Sequence, residues 1–158
     1  MLRRGYLLVI FVVLFLTFLP TVPAFAARRS QPESSLLEAV NAARLAHGLR
    51  PLRVDPTLTR AARAHTIDML QRDYFAHGAF ARRMAQFHVQ AARIGEDLAW
   101  GNGAWAQATA VVREWLASPA HRANVLDPRF GRIGIGAASG TFQGAAGATI
   151  FTADFAGG

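Results

Sequence analysis

Residues Glu114–Leu126 read EWLASPAHRANVL: the close of a helix, a Ser-Pro stop, and a histidine delivered just beyond it. Val111, Val112, Trp115 and Leu116 recur at helical spacing, so a helix over 104–117 turns one apolar stripe towards a core. Ser118 suits an N-cap, and Pro119 suits a first helical position, where a missing N–H costs nothing. His121 is therefore expected on a short turn whose place is set by the Trp115 stripe. Two readings of it stand: a surface or packing histidine, or a site residue held at a loop edge.

Towards the C-terminus, Ile133 and Ile135 alternate with Gly134 and Gly136, and residues 148–155 read ATIFTADF, rich in strand formers. The two segments predict an antiparallel hairpin joined by a long loop across the glycine-rich stretch 139–147. Towards the N-terminus, Asn102-Gly103 turns the chain into the Trp115 helix. Before it, IGEDLAWG at 94–101 sets Glu96 between Ile94 and Leu98, a pattern for a strand or a tight bend. A carboxylate in so apolar a setting needs a partner or water, or burial raises its pKa. A short helix is expected over 82–89, with Met84, Ala85 and Phe87 inward and His88 exposed. DYFAHG at 73–78 has no helical period.

Asp55-Pro56 marks the start of a helix running to Arg72, with Leu58, Ala61, Ala62, His65, Met69 and Leu70 inward. His65 in that stripe reads as a core histidine with a hydrogen-bond partner. Residues 49–54 form an extended connector. An earlier helix is expected over Ser34–His47, capped by Ser34 and stopped by Gly48. Asn41 and Arg44 share one of its faces, to bond a neighbouring loop or, for Arg44, to stay solvated. Residues 27–33 read as a flexible lead-in. Helices come first, then a helix between loops, then strands, so the fold class is α+β.

The first residues are a separate matter. Arg3 and Arg4 precede an apolar run, Tyr6–Leu19, followed by Ala24-Phe25-Ala26. A basic start, an apolar stretch and an A-x-A site make a secretory signal peptide, residues 1–26, cleaved after Ala26. The rivals are an uncleaved anchor and, from the paired arginines, twin-arginine rather than general export. The 158-residue chain has no cysteine, so a secreted fold relies on packing rather than disulfides. Its 17 basic residues are all arginine; losing Arg3 and Arg4 leaves 15 against 10 acids, about +5. That charge favours anionic envelope polymers or lipid headgroups. No aromatic-basic pattern for nucleic acid occurs, so none is expected as a partner.

Four stretches together resemble the CAP superfamily, the SCP/pathogenesis-related-1 type, in its short secreted bacterial form. They are LEAVNAARLAHGLRPL at 37–52, YFAHG at 74–78, GEDLAWG at 95–101 and WLASPAHRANVLDPRF at 115–130. The resemblance spans about residues 34–156 and implies an α-β-α sandwich with a small antiparallel sheet between helical layers. It also implies a cleft with two histidines and acidic residues, mapping onto His77, His121 and Glu96. Asp97 stands where asparagine is usual after that glutamate. Ser118 stands where many members carry a second glutamate, and Glu114 would point elsewhere on the helix. Asp97 and Ser118 are expected to line the cleft.

Two imidazoles and a carboxylate form the protein part of an open zinc site, so His77, His121 and Glu96 are candidate ligands for a divalent metal such as zinc. Without metal, Glu96 is the candidate general base, with the histidines as proton donors. The plainest alternative is a polar knot tying loops to the core. Three functions follow. The favoured one is a secreted, monomeric binding module of the envelope or medium, holding a divalent metal and a lipid or cell-wall component. The others are a metal- or Glu-dependent hydrolase and a structural domain without ligand; fold alone does not decide among them.

Overall fold

A computed structural model of the chain describes residues 29–158, so the expected signal peptide, residues 1–26, lies outside the described residues. The first helix, α1 (Gln31–Ala46), starts earlier than Ser34, because Ser30 and Glu33 form a reciprocal capping box. Part of the expected lead-in is therefore helix. Glu33 is pinned further by Arg63 of the next helix, at 2.6 Å. Asp55 opens α2 (Pro56–Arg72) as expected, its side chain accepting from the N–H groups of Thr57 and Leu58.

The connector contributes β1 (Arg53–Val54), then α3 (Phe80–Gln86), β2 (Arg93–Gly101), α4 (Ala108–Ala117), α5 (Pro119–Val125), β3 (Phe130–Phe142) and β4 (Ala145–Gly157) follow. The sheet order is β1-β3-β4-β2. Its three long strands are antiparallel, while the two-residue β1 joins β3 in parallel. The sheet is thus mixed, because the extended connector supplies a short edge strand. β3 and β4 meet at the two-residue turn Gln143-Gly144, not across a long loop. Both residues have positive φ (49° and 75°), the twist that a tight hairpin requires. Asp73 anchors this turn by accepting the Gln143 N–H at 2.7 Å.

Strand alternation divides the core between two faces. On one face, Ile133, Ile135, Phe151, Ala153 and Phe155 pack with Trp115 of α4, Val125 of α5 and the α1 stripe Leu36 and Val40. On the other, Ile150, Leu98 and Ala156 meet Met69 and Leu58 of α2 and Met84 of α3. Here α2 lies directly on the sheet: a Cβ at Gly134 would fall 2.1 Å from the Leu58 backbone, and one at Gly136 2.6 Å from that of Ala62. The glycines that interrupt the β3 pattern are therefore seats for a helix. The result is an α-β-α sandwich of the α+β class.

Arg44 resolves in favour of bonding. It is 1% exposed, and its guanidinium donates to the carbonyls of Arg50, Val125, Asp127 and Phe130. Asn41 exchanges two hydrogen bonds with the Leu52 backbone. Together they tie the loops around α5 and β1 to α1, work that disulfides do in many small secreted folds.

Candidate functional site

β2 is an edge strand, and side chains from the α4–α5 layer cover its free side. Trp115 Nε1–H donates to Leu98 O at 3.0 Å, and Asn124 Nδ2 donates to Glu96 O at 3.2 Å. An unpaired strand edge is thereby satisfied by side chains rather than by another strand. Around the C-terminal half of β2 lies a groove of about 520 Å³. Its apolar walls come from Phe75, Leu98, Trp100, Trp105, Val111 and Trp115, and its polar positions from Asn102, Glu114, Ser118 and His121. Trp105 is 62% exposed, and Trp100 and Phe75 are also open to solvent. Phe142 fixes the Trp100 ring edge-on at 5.3 Å.

His121 sits on the helix α5 rather than on a turn, because Pro119 occupies its first turn as the Ser-Pro stop allows. Ser118 takes the N-cap backbone position, but its side chain makes no cap bond and lines the groove instead. Glu114, expected to point elsewhere, also joins the groove wall. Asp97 does not line it. Alternation sends its side chain to the opposite face from Glu96, where it is fully buried and accepts from Asn124 Nδ2 at 2.8 Å. Burial pushes its carboxyl up to about 7, and the Glu96 charge beside it adds to the rise.

Glu96 points into the α2–α3 layer and is buried. His77 Nδ1 lies 2.8 Å from its Oε1, and Arg83 of α3 donates to its Oε2. His65 Nε2 is 4.0 Å from the same oxygen and donates to Ala76 O at 3.0 Å, so it is the core histidine expected. Burial, reinforced by the Arg83 charge, lowers the His65 pKa to about 4 and keeps it neutral. His77 is the exposed member of the cluster, its side chain 55% accessible. His121 is half-buried and near enough to His77 that, after burial, a charge there further lowers its pKa.

The expected trio therefore meets only in part. Glu96 and His77 bond directly, and His121 neighbours them from the other layer. Both Glu96 oxygens are already engaged, and among the described residues no group of three or more His, Asp or Glu is arranged to hold a metal ion. The trio is not a three-ligand shell as it stands. Sequence reasoning missed Arg83, whose inward position beside Met84 was its only signal, and Asp154, a lone acid in an apolar strand. It also missed Trp105, whose place in the groove depends on the short 3-10 turn Gly103–Ala106.

Residues 37–155 match the model of the CAP family, described as the cysteine-rich secretory protein family. The chain belongs to this family. It is 37% identical over 109 residues to YkwD of Bacillus subtilis, covering 66% of this chain and 41% of that protein. It is 30% identical over 109 residues to the Bacillus subtilis membrane protein YlbC, 31% of which it covers. The chain thus spans less than half the length of either relative. The CAP fold recurs in an extracellular SCP-domain protein from Bacillus anthracis, with TM-score 0.67, 24% identity, and coverage of 80% of this chain and 40% of that one. An outer surface protein from Borrelia burgdorferi gives TM-score 0.67 at 21% identity, covering 81% of this chain and 93% of that one. This CAP domain differs from the family description in lacking cysteine altogether.

Proposed function

We propose that this CAP domain is an extracellular binding module that takes a glycan of the cell envelope in the groove along β2. The lining of that groove carries the reading. Exposed aromatic rings present flat apolar surfaces on which the apolar faces of sugar rings stack, and aromatic bodies with polar surroundings suit such half-wet contacts. Asn102, Glu114, Ser118 and His121 stand around them with donors and acceptors for hydroxyl and acetamido groups. With Glu96 ionised, His77 donates through Nδ1, and in the neutral imidazole that leaves Nε2 as the free acceptor on an exposed ring.

Burial of Glu96 favours binding over hydrolysis. A general base must reach the proton it removes, directly or through one water. The Glu96 side chain is 1% exposed and held by His77 and Arg83, so its office is to orient His77. The extracellular placement draws on the leader-like residues 1–26 and on the extracellular and outer-surface relatives.

Cosedimentation with purified cell-wall sacculi, read beside phosphatidylglycerol vesicles, tests the reading. Wild type is expected to pellet with sacculi and not with vesicles. Trp105→Ala is expected to weaken the sacculus interaction tenfold or more, roughly the 1.4 kcal/mol worth of one lost stacking contact. Pelleting with vesicles alone would point to a lipid ligand and overturn the glycan assignment.

A further inference from the structure

Behind His77 lies a group that neither the binding reading nor the sequence reading uses. Asp154 of β4 is the direct cross-strand partner of Glu96 in β2, so the two side chains share the α2-facing side of the sheet. Asp154 is fully buried, and among the described residues no donor reaches either of its oxygens. The nearest cation, Arg83 Nη2, is 4.0 Å away and already donates to Glu96. The group beside Asp154 is the Glu96 carboxylate, which when ionised only accepts.

We infer that Asp154 is a neutral carboxylic acid whose O–H donates to the Glu96 carboxylate, and that it is thereby a positioning residue for His77. Three observations lead there. First, two facing carboxyls in a dry interior share one guanidinium, and a proton kept by one of them removes a second buried charge and turns a facing acceptor into a donor. Among the described residues no other titratable group gives Asp154 a donor. His65 on α2 is neutral and donates to Ala76 O, and the exposed His77 on the loop bonds Glu96 Oε1 rather than Asp154. From the other elements, Gly134 of β3 has no side chain, and Thr66 bonds to Thr152 of β4.

Second, the proton belongs on Asp154 rather than on Glu96. Glu96 receives hydrogen bonds from Arg83 and His77, which favour its anion, and Asp154 receives none. Burial and the Glu96 charge accordingly push Asp154 well above the ordinary carboxyl range. Third, the O–H supplies the contact that both groups lack. Glu96 is then held from three sides, by Asp154, Arg83 and His77, which fixes the His77 ring with its proton on Nδ1 and its Nε2 free. The inference rests on the binding reading only where it gives that free nitrogen a use. The proton is tested without any ligand.

Infrared difference spectroscopy at pH 8 reads the proton directly, since exposed carboxyls are ionised there. Wild type minus Asp154→Asn is expected to show the carbonyl stretch of a protonated carboxylic acid. An Asp97→Asn background removes the other buried acid from the comparison. Absence of that band in native protein overturns the inference. The positioning step is read by ¹⁵N NMR of the His77 ring. Asp154→Asn, whose amide donates as the acid did, is expected to keep the Nδ1–H tautomer. Asp154→Leu, with similar bulk and no donor, is expected to populate the Nε2–H form. Equal tautomer populations in wild type and in Asp154→Leu would leave the proton without a positioning role and overturn that step.

Discussion

Asp97→Asn is expected to stabilise the domain increasingly from about pH 4 upward and to leave it nearly unchanged below that. Asp97 has no exposed surface, and its folded pKa is about 7 against an ordinary 3.8. Each unit of difference corresponds to about 1.4 kcal/mol, so the full rise is worth about 4 kcal/mol. The sign follows from proton binding. Between the two pKa values the folded state holds the proton and the unfolded state does not, so stability falls as pH rises through that window and levels off above it. From pH 5 to pH 8 the loss from Asp97 alone is about 3 kcal/mol. Asparagine keeps the bond from Asn124 and stays neutral throughout. Its amide NH₂ takes the place of Oδ2, an atom without a partner among the described residues, just as the hydroxyl of the protonated acid does. The two proteins should therefore unfold at similar urea concentrations only below about pH 4, and at pH 5 the variant should already lead by about 2 kcal/mol. At pH 8 the lead should reach about 4 kcal/mol, a midpoint higher by about 1–4 M given slopes of about 1–3 kcal/mol/M. A gap that stays constant from pH 5 to pH 8 would refute the assignment of a buried, titrating Asp97.

Trp115→Ala should destabilise by about 3–5 kcal/mol, the range for losing a large buried aromatic, with an orphaned Leu98 carbonyl included. Urea unfolding with a loss under about 1 kcal/mol would mean that α4 does not bury its stripe. Arg44→Met should cost a similar ~3–5 kcal/mol, because several buried carbonyls lose their donor at once; a melting temperature equal to wild type would contradict that. The secreted protein should begin at Ala27, and mass spectrometry finding Met1–Ala26 intact would support an anchor instead.

Local signals in the sequence carried much of the fold. The Asp55-Pro56 start, the Trp115 stripe and the alternation around Ile133 each depend on neighbours a few residues away, and each reads correctly. The hairpin was legible in its strands but not in its turn. Gln143 adopts a positive φ that its residue type does not announce, and the glycines before it serve contact with α2, not a loop. The start of α1 was misplaced by four residues because Ser34 and Ser30 both suit a cap, and only the Glu33 partnership separates them. At the site, His77 and Glu96 were visible through motif resemblance. Asp154 and Arg83 were not, since their importance arises from a cross-strand pairing and a helix packed over it, contacts made across 58 and 13 residues of chain.

The central claim is that ligand occupies the aromatic groove beside β2. It is tested most directly by ¹H–¹⁵N NMR titration of the protein with chitotetraose, a soluble stand-in for wall glycan. The indole N–H signals of Trp100 and Trp105 and the side-chain amide of Asn102 are expected to shift together and saturate, while the Trp115 indole, bonded to Leu98, stays in place. Saturable shifts confined to the α2–α3 surface, with both exposed indoles unmoved, would contradict the account.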